Sequence, residues 1–205
     1  KEGYKFLAIS ILATFIILIF SKFLGSIFIL ISVWVYYFFR DPDRISINDD
    51  NYLVSPADGL ITDISEKSGP EELRLENTSF TRISVFMNVF NCHVNRVPSS
   101  GKIEEIFYKP GKFLNASLDK ASEENERNYF KVRLNNGEEI IIVQIAGLIA
   151  RRIVCEVEQG QELKQGDRIG MIRFGSRVDI YFKNKKVLAK LGQNVVAGES
   201  LLASE

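Results

Sequence analysis

Three side chains in this sequence have chemistry that works in combination. Ser176 follows Gly175 within Phe174-Gly175-Ser176, between two β-patterned stretches. A serine hydroxyl there is placed to attack the carbonyl of the residue before it, and glycine carries no side chain to block the approach. Such a nucleophile needs a base to take its proton, and the base needs a group to orient it. His93 is the single histidine of the chain, so any imidazole base is this residue. It follows a strongly β run and precedes Val97-Pro98, which places it at a strand end. Asp58, in Ser55-Pro56-Ala57-Asp58-Gly59, puts a carboxylate at a turn, where it orients a base or accepts a proton. The chemistry these residues spell is self-cleavage before Ser176, with His93 as base, Asp58 as its support and backbone strain at Gly175-Ser176 assisting the first step. Each also has a plain reading. Gly-Ser and Asp-Gly are common turn dipeptides, and a lone histidine is often structural.

The elements that must bring them together are short strands. Ile83–Phe90, Tyr129–Leu134, Glu139–Ile145 and Val178–Phe182 are rich in β-branched and aromatic residues, and Asn135-Asn136-Gly137 reads as a hairpin turn between two of them. Lys120–Arg127 is a charged segment that reads as a loop or a short helix. A weak repeat is also present. Gly160-Gln161-Glu162-Leu163-Lys164-Gln165-Gly166-Asp167 is similar to Gly192-Gln193-Asn194-Val195-Val196-Ala197-Gly198-Glu199. This glycine-paced pattern resembles the hairpins of lipoyl and biotinyl carrier domains and other barrel-sandwich hybrids. No lysine sits at a hairpin tip in the Met-Lys or Asp-Lys setting of a carrier, so the repeat speaks for the fold and against a swinging arm. The fold class expected is mainly β: a barrel-sandwich-hybrid-like domain over residues 41–205, preceded by a hydrophobic helical hairpin over residues 1–40.

That leading segment is apolar from Phe6 to Phe20 and again from Phe23 to Phe39, broken at Ser21-Lys22. Each run is slightly short of the ~20 residues that span a bilayer comfortably. A tight hairpin, two short tilted spans and one long bent helix all fit, and the hairpin dipping into the membrane is the favoured reading. Lys1, Lys5, Arg40 and Arg44 would then flank it on one side, as cytoplasmic flanks do, with Trp34, Tyr36 and Tyr37 at the interface and Lys22 snorkelling at the turn. The chain of 205 residues carries 26 basic and 26 acidic side chains, which removes the basic excess that nucleic-acid binding uses. Two cysteines, Cys92 and Cys155, and one histidine do not make a zinc site or a disulfide scaffold, so no metal is expected.

Taken in order, Phe38-Phe39-Arg40-Asp41-Pro42-Asp43-Arg44, Ser55–Gly59, Asn88–Pro98, Gln144–Arg152 and Gly170–Ser176 resemble the phosphatidylserine decarboxylase family in its short bacterial and archaeal form. The resemblance implies a proenzyme that cuts itself into 1–175 and 176–205, with Ser176 converted to a pyruvoyl cofactor and the two pieces staying associated. Ser176 matches the self-cleaving serine, Asp58 the aspartate and His93 the histidine of the family's site. Longer relatives carry a second histidine where this chain has Arg96, so His93 serves both cleavage and decarboxylation, or another group, such as water, serves one. The implied substrate is a membrane phospholipid, whose phosphate Arg151 and Arg152 would bind, arginine being suited to bidentate phosphate contact. The same two residues also read as a solvated surface pair. The implied location is the cytoplasmic face of the cell membrane, with the enzyme monotopic and homo-oligomeric.

Competing functions are a pyruvoyl decarboxylase of a soluble amino acid and a membrane-tethered β-domain that only binds or scaffolds. A serine hydrolase is weaker, because Gly175-Ser176-Arg177 lacks the Gly-x-Ser-x-Gly elbow.

Overall fold

The computed structural model describes residues 2–114, 124–148, 152–173 and 175–205. The chain folds as two compact units, one ending at Pro42 and the other Asp43–Glu205. In the first, α1 (Glu2–Phe20) and α2 (Lys22–Phe38) form a helical hairpin that turns at Ser21, whose side chain caps α2 by accepting from the Leu24 amide. Small and hydroxylated residues make the seam, as in helices that pack without a hydrophobic driving force. Thr14 Oγ1 lies 3.1 Å from Ser32 Oγ and donates to the Phe28 carbonyl at 3.2 Å. Gly25 sits against Leu18, where a methyl group would collide. Gly3–Phe20 is long and apolar enough to cross a membrane, with a mean hydropathy of 2.2.

The second unit is built from strands β1 (Tyr52–Val54), β2 (Gly59–Ser68), β3 (Ser79–Met87), β4 (Val94–Arg96), β5 (Gly101–Lys109), β6 (Arg127–Leu134), β7 (Glu139–Ala146), β8 (Ile153–Cys155), β9 (Glu162–Leu163), β10 (Arg168–Ile172), β11 (Ser176–Phe182), β12 (Lys186–Val187), β13 (Asn194–Val195) and β14 (Leu201–Ser204). The main sheet has the order β13-β2-β3-β11-β7-β6-β5-β9, and two small sheets, β1-β14-β12 and β4-β10-β8, accompany it. The core lies on one face of the main sheet, where Ile83, Val85, Phe130, Ile142, Val178, Ile180 and Phe182 are buried with Leu53, Ile169 and Leu202 from the small sheets.

The sequence repeat is a structural repeat. Gly160 and Gly192 both have positive φ, 89° and 79°, and each donates to an isoleucine carbonyl, Ile103 or Ile61, whose own amide donates back to Gln161 or Gln193. Six residues later Gly166 and Gly198, with φ 86° and 77°, donate to Val97 and Ser55. Such left-handed dihedrals are where glycine avoids the Cβ penalty, so the repeat's spacing follows from backbone geometry. One strand expectation changes. The run read as a strand through Phe90 ends at Met87, because Asn88 and Asn91 take the backbone into a turn: Asn91 Oδ1 accepts the Asn88 amide and Asn88 Oδ1 the Phe90 amide. Half of the charged segment read as a loop or helix, residues 120–123, falls outside the described residues, and its end, Arg127, already belongs to β6.

Candidate active site

Strand β11 sits in the middle of the main sheet, hydrogen-bonded to β3 on one side and β7 on the other. Its first residue is Ser176, directly opposite Met87 and Ala146. Alternation along a strand sends Ser176, Val178, Ile180 and Phe182 to one face, the core face. Ser176 is therefore fully buried, and among the described residues its Oγ has no hydrogen-bond partner. A buried hydroxyl left unpaired costs on the order of 1–3 kcal/mol, so its position needs a reason.

The reason lies one residue back. The Gly175 amide donates to Nε2 of His93 at 3.2 Å. On the other side of the ring, Nδ1 lies 3.0 Å from the Asn91 carbonyl oxygen. A carbonyl only accepts, so Nδ1 carries the hydrogen and Nε2 presents its lone pair. The imidazole is thus neutral, fully buried and in the tautomer of a base, touching the amide nitrogen of the residue before Ser176. The ring is held because its backbone is pinned: the Ile172 amide donates to the His93 carbonyl at 3.3 Å, and β4 pairs with β10.

Gly175 has φ 59°, and among the described residues, its chain neighbours aside, no atom stands within 4 Å of where a Cβ would be. The backbone, not space, calls for glycine here. A glycine adopts this dihedral without penalty, so the φ at Gly175 is not itself a source of the strain expected at the Gly175-Ser176 pair.

Asp58 goes elsewhere than to the imidazole. Its carboxylate takes both Oδ atoms to the Arg44 guanidinium, at 2.8 and 3.1 Å, and Oδ1 also accepts the Ala197 amide at 2.8 Å. The orienting contact on His93 Nδ1 comes instead from the Asn91 backbone. Asp58 still touches the site's scaffold at one remove, since its turn carries Pro56, whose carbonyl receives the Arg96 amide at the end of the histidine strand. Arg96, at the position of the second histidine of longer relatives, sends its guanidinium to the Gly166 carbonyl at 2.9 Å.

Arg151 lies outside the described residues. Arg152 is exposed, and its carbonyl accepts the Arg173 amide at 3.2 Å, so the two arginines are cross-strand neighbours three residues from Ser176. Nearby, burial and then the Glu126 carboxylate push the Tyr108 hydroxyl above its usual range, while Arg152 pulls the other way. Arg173 was legible in the Gly170–Ser176 motif as a second cation. The Asn91 carbonyl was not, because a backbone acceptor has no signature in residue type.

A mainly-β unit with a buried serine opening its central strand, and a neutral histidine on the preceding amide, defines a class by geometry. Family comparison agrees with that class. Residues 31–203 match the family model for phosphatidylserine decarboxylase. The chain is 66% identical over its whole length to the phosphatidylserine decarboxylase proenzyme of Pelagibacter ubique (strain HTCC1062), covering 95% of that protein. Against the proenzymes of Ruegeria pomeroyi and Rickettsia akari the identities are 50% and 49%, over 98% and 99% of this chain and 93% and 88% of those proteins. The chain belongs to the phosphatidylserine decarboxylase family.

Proposed function

We propose that this enzyme decarboxylates phosphatidylserine to phosphatidylethanolamine, after cutting itself between Gly175 and Ser176 and converting residue 176 to a pyruvoyl group. One observation carries the reading: His93 Nε2, as a neutral acceptor, contacts the Gly175 amide one residue from a buried, unpartnered serine hydroxyl. In the first step Oγ bonds to the Gly175 carbonyl carbon, the π pair moves to its oxygen, and the hydroxyl proton passes to Nε2. Breaking the C–N bond delivers that proton to the Ser176 nitrogen and leaves an ester. Elimination frees the Gly175 carboxylate and leaves dehydroalanine, which takes up water and sheds ammonia.

The residues present fit a group made this way. The Ser176 side chain is enclosed by core residues that exclude water, and a glycine in an open left-handed turn precedes it. Once formed, the pyruvoyl ketone supplies an electron sink for the pair left behind as carbon dioxide departs. His93 then returns a proton to the substrate carbon, so that one histidine serves both reactions. Arg152, with Arg173 beside it, binds the lipid phosphate, and Arg151 is the sequence-based candidate to join them. Asp58 holds the turn that braces the histidine strand.

The cut pieces stay together because 176–205 contributes β11 between β3 and β7 and β14 between β1 and β12. The apolar hairpin holds the enzyme in the cytoplasmic leaflet, where its substrate resides. Intact mass spectrometry tests the proposal: the natural chain should give two species, the smaller blocked by a carbonyl at its N-terminus. Ser176→Ala should stay one chain and turn over no phosphatidylserine in vesicles. Cutting of Ser176→Ala at the same bond would reject it.

A further inference from the structure

Beside Ser176 the core contains a line of amides that nothing above uses. Asn95, Gln144 and Asn128 are buried, the first two completely. They are chained in one direction. Asn128 Nδ2 donates to Gln144 Oε1 at 3.3 Å, and Gln144 Nε2 donates to Asn95 Oδ1 at 2.8 Å. Asn95 Nδ2 then ends on the Met87 sulfur at 3.6 Å. Gln144 Oε1 and Asn95 Oδ1 each accept an amide N–H, while the last NH2 faces a thioether, a weak acceptor. Donor chains of this kind polarise toward their end, so the site keeps a buried donor whose proper partner is an oxygen.

The end of the chain is at the bond to be cut. Met87 is directly opposite Ser176 across β3 and β11, and Gln144 is opposite Val178, two residues along the same face. Asn95 is the middle residue of β4, and His93 immediately precedes that strand. His93 reaches the Gly175 amide from one end, and Asn95 approaches the side chain facing Ser176 from the other.

We propose that Asn95 is a catalytic residue for the self-cleavage: its Nδ2 donates to the Gly175 carbonyl oxygen as negative charge builds there, and Gln144 positions it. The step balances as written above. Oγ–C forms, the π pair goes to oxygen, the proton goes to His93, and Asn95 exchanges a sulfur for an oxyanion without gaining or losing a proton. Arg96, which replaces the second histidine, is committed to Gly166, so the second polar group of this chain's site is its neighbour Asn95. The inference rests on the self-cleavage reading and adds a residue to it.

The test follows cutting of freshly made precursor on denaturing gels, with melting temperature and carbonyl content measured in parallel. Asn95→Leu keeps the volume and removes the donor. Its cutting should slow by about 100-fold, the effect of losing one oxyanion donor, in precursor whose melting temperature shows that it is folded. Met87→Leu removes the sulfur and leaves the donor, so it should cut at least as fast as the natural chain. Should Asn95→Leu fail to fold, Asn95→Ser, with a shorter hydroxyl donor, should cut about 10-fold slower. Cutting of the folded Asn95 variant at the natural rate overturns the inference, as does equal slowing in Met87→Leu. An uncut natural chain would instead reject the self-cleavage reading itself.

Discussion

On one face of β11, Val178, Ile180 and Phe182 enter the apolar core behind Ser176; on the other, Arg177, Asp179 and Tyr181 lie beneath the turn around Glu71–Leu73. Both faces are buried, yet they treat polar groups differently. On the outer face charges are cross-braced. Asp179 meets the Arg177 guanidinium at 2.9 and 3.0 Å and lies 3.9 Å from Arg82, which also donates to Asp63 at 2.8 Å. Glu72 folds over the end of the network, 2.8 Å from Lys109 and 3.4 Å from Arg127. On the inner face one hydroxyl, Ser176 Oγ, stands unpaired among the described residues, and on the outer face Ser84 Oγ does too. The outer face keeps its charges because each has an opposite charge at hand. The inner face leaves Ser176 Oγ, the proposed nucleophile, without a hydrogen-bond partner.

The largest effect that would break this contrast belongs to Ser176, whose replacement by alanine should abolish cutting while leaving the melting temperature near the natural value. Next comes His93→Gln. It keeps a polar side chain of similar size but loses the base, so cutting should slow by roughly 10²–10⁴-fold. Circular dichroism should show the same sheet. Natural-rate cutting by His93→Gln would place the base elsewhere.

Much of this contrast was readable before the fold was known, and the unread part has a physical cause. Ser176 and His93 could be singled out because few residue types can serve as nucleophile and base, and this chain offers one histidine, which the structure brings to the Gly175 amide. The repeat at Gly160 and Gly192 was readable because left-handed turns select glycine. The partner of His93 was not, since Asn91 acts through its carbonyl. Nor was the destination of Asp58: an aspartate in a turn gives no hint that Arg44, 14 residues earlier, will claim it. The outer network was equally hidden. Alternating Arg177, Asp179 and Tyr181 reads as a solvated strand face, and only the turn carrying Glu72 and Leu73 covers it.

The outer face should fail in stability and not in chemistry. Asp179→Ala leaves Arg177 and Arg82 buried without their shared carboxylate, and breaking such a network from one side costs roughly 3–5 kcal/mol. Burial opposes the charge on Arg82, yet Asp179 and Asp63 hold it above even the usual guanidinium value, which marks how strongly it depends on them. Urea unfolding should show the loss, while folded molecules should cut within a few-fold of the natural rate. An Asp179→Ala protein of natural stability that no longer cuts would erase the distinction between the faces.

The smallest expected effect is in alkali and also belongs to the outer face. Burial first, and then the Asp179 carboxylate, push the Tyr181 hydroxyl up to about 12. An unfolded tyrosine ionises near ~10. The folded state therefore holds the proton longer, and the neutral phenol contributes stability that is complete below pH ~10 and is lost as pH rises from ~10 to ~12. Burial raises Tyr129 in the same direction, so part of the alkaline slope remains when Tyr181 is removed. Tyr181→Phe should flatten the fall in unfolding free energy across that window by up to about 3 kcal/mol, with no change near neutral pH in its pH dependence. The inner face has no counterpart to this signature, because its hydroxyl is a serine and does not titrate there. An equal alkaline slope in the natural and Tyr181→Phe proteins would mean that the phenol is open to water, and that the outer face is a surface and not a buried layer.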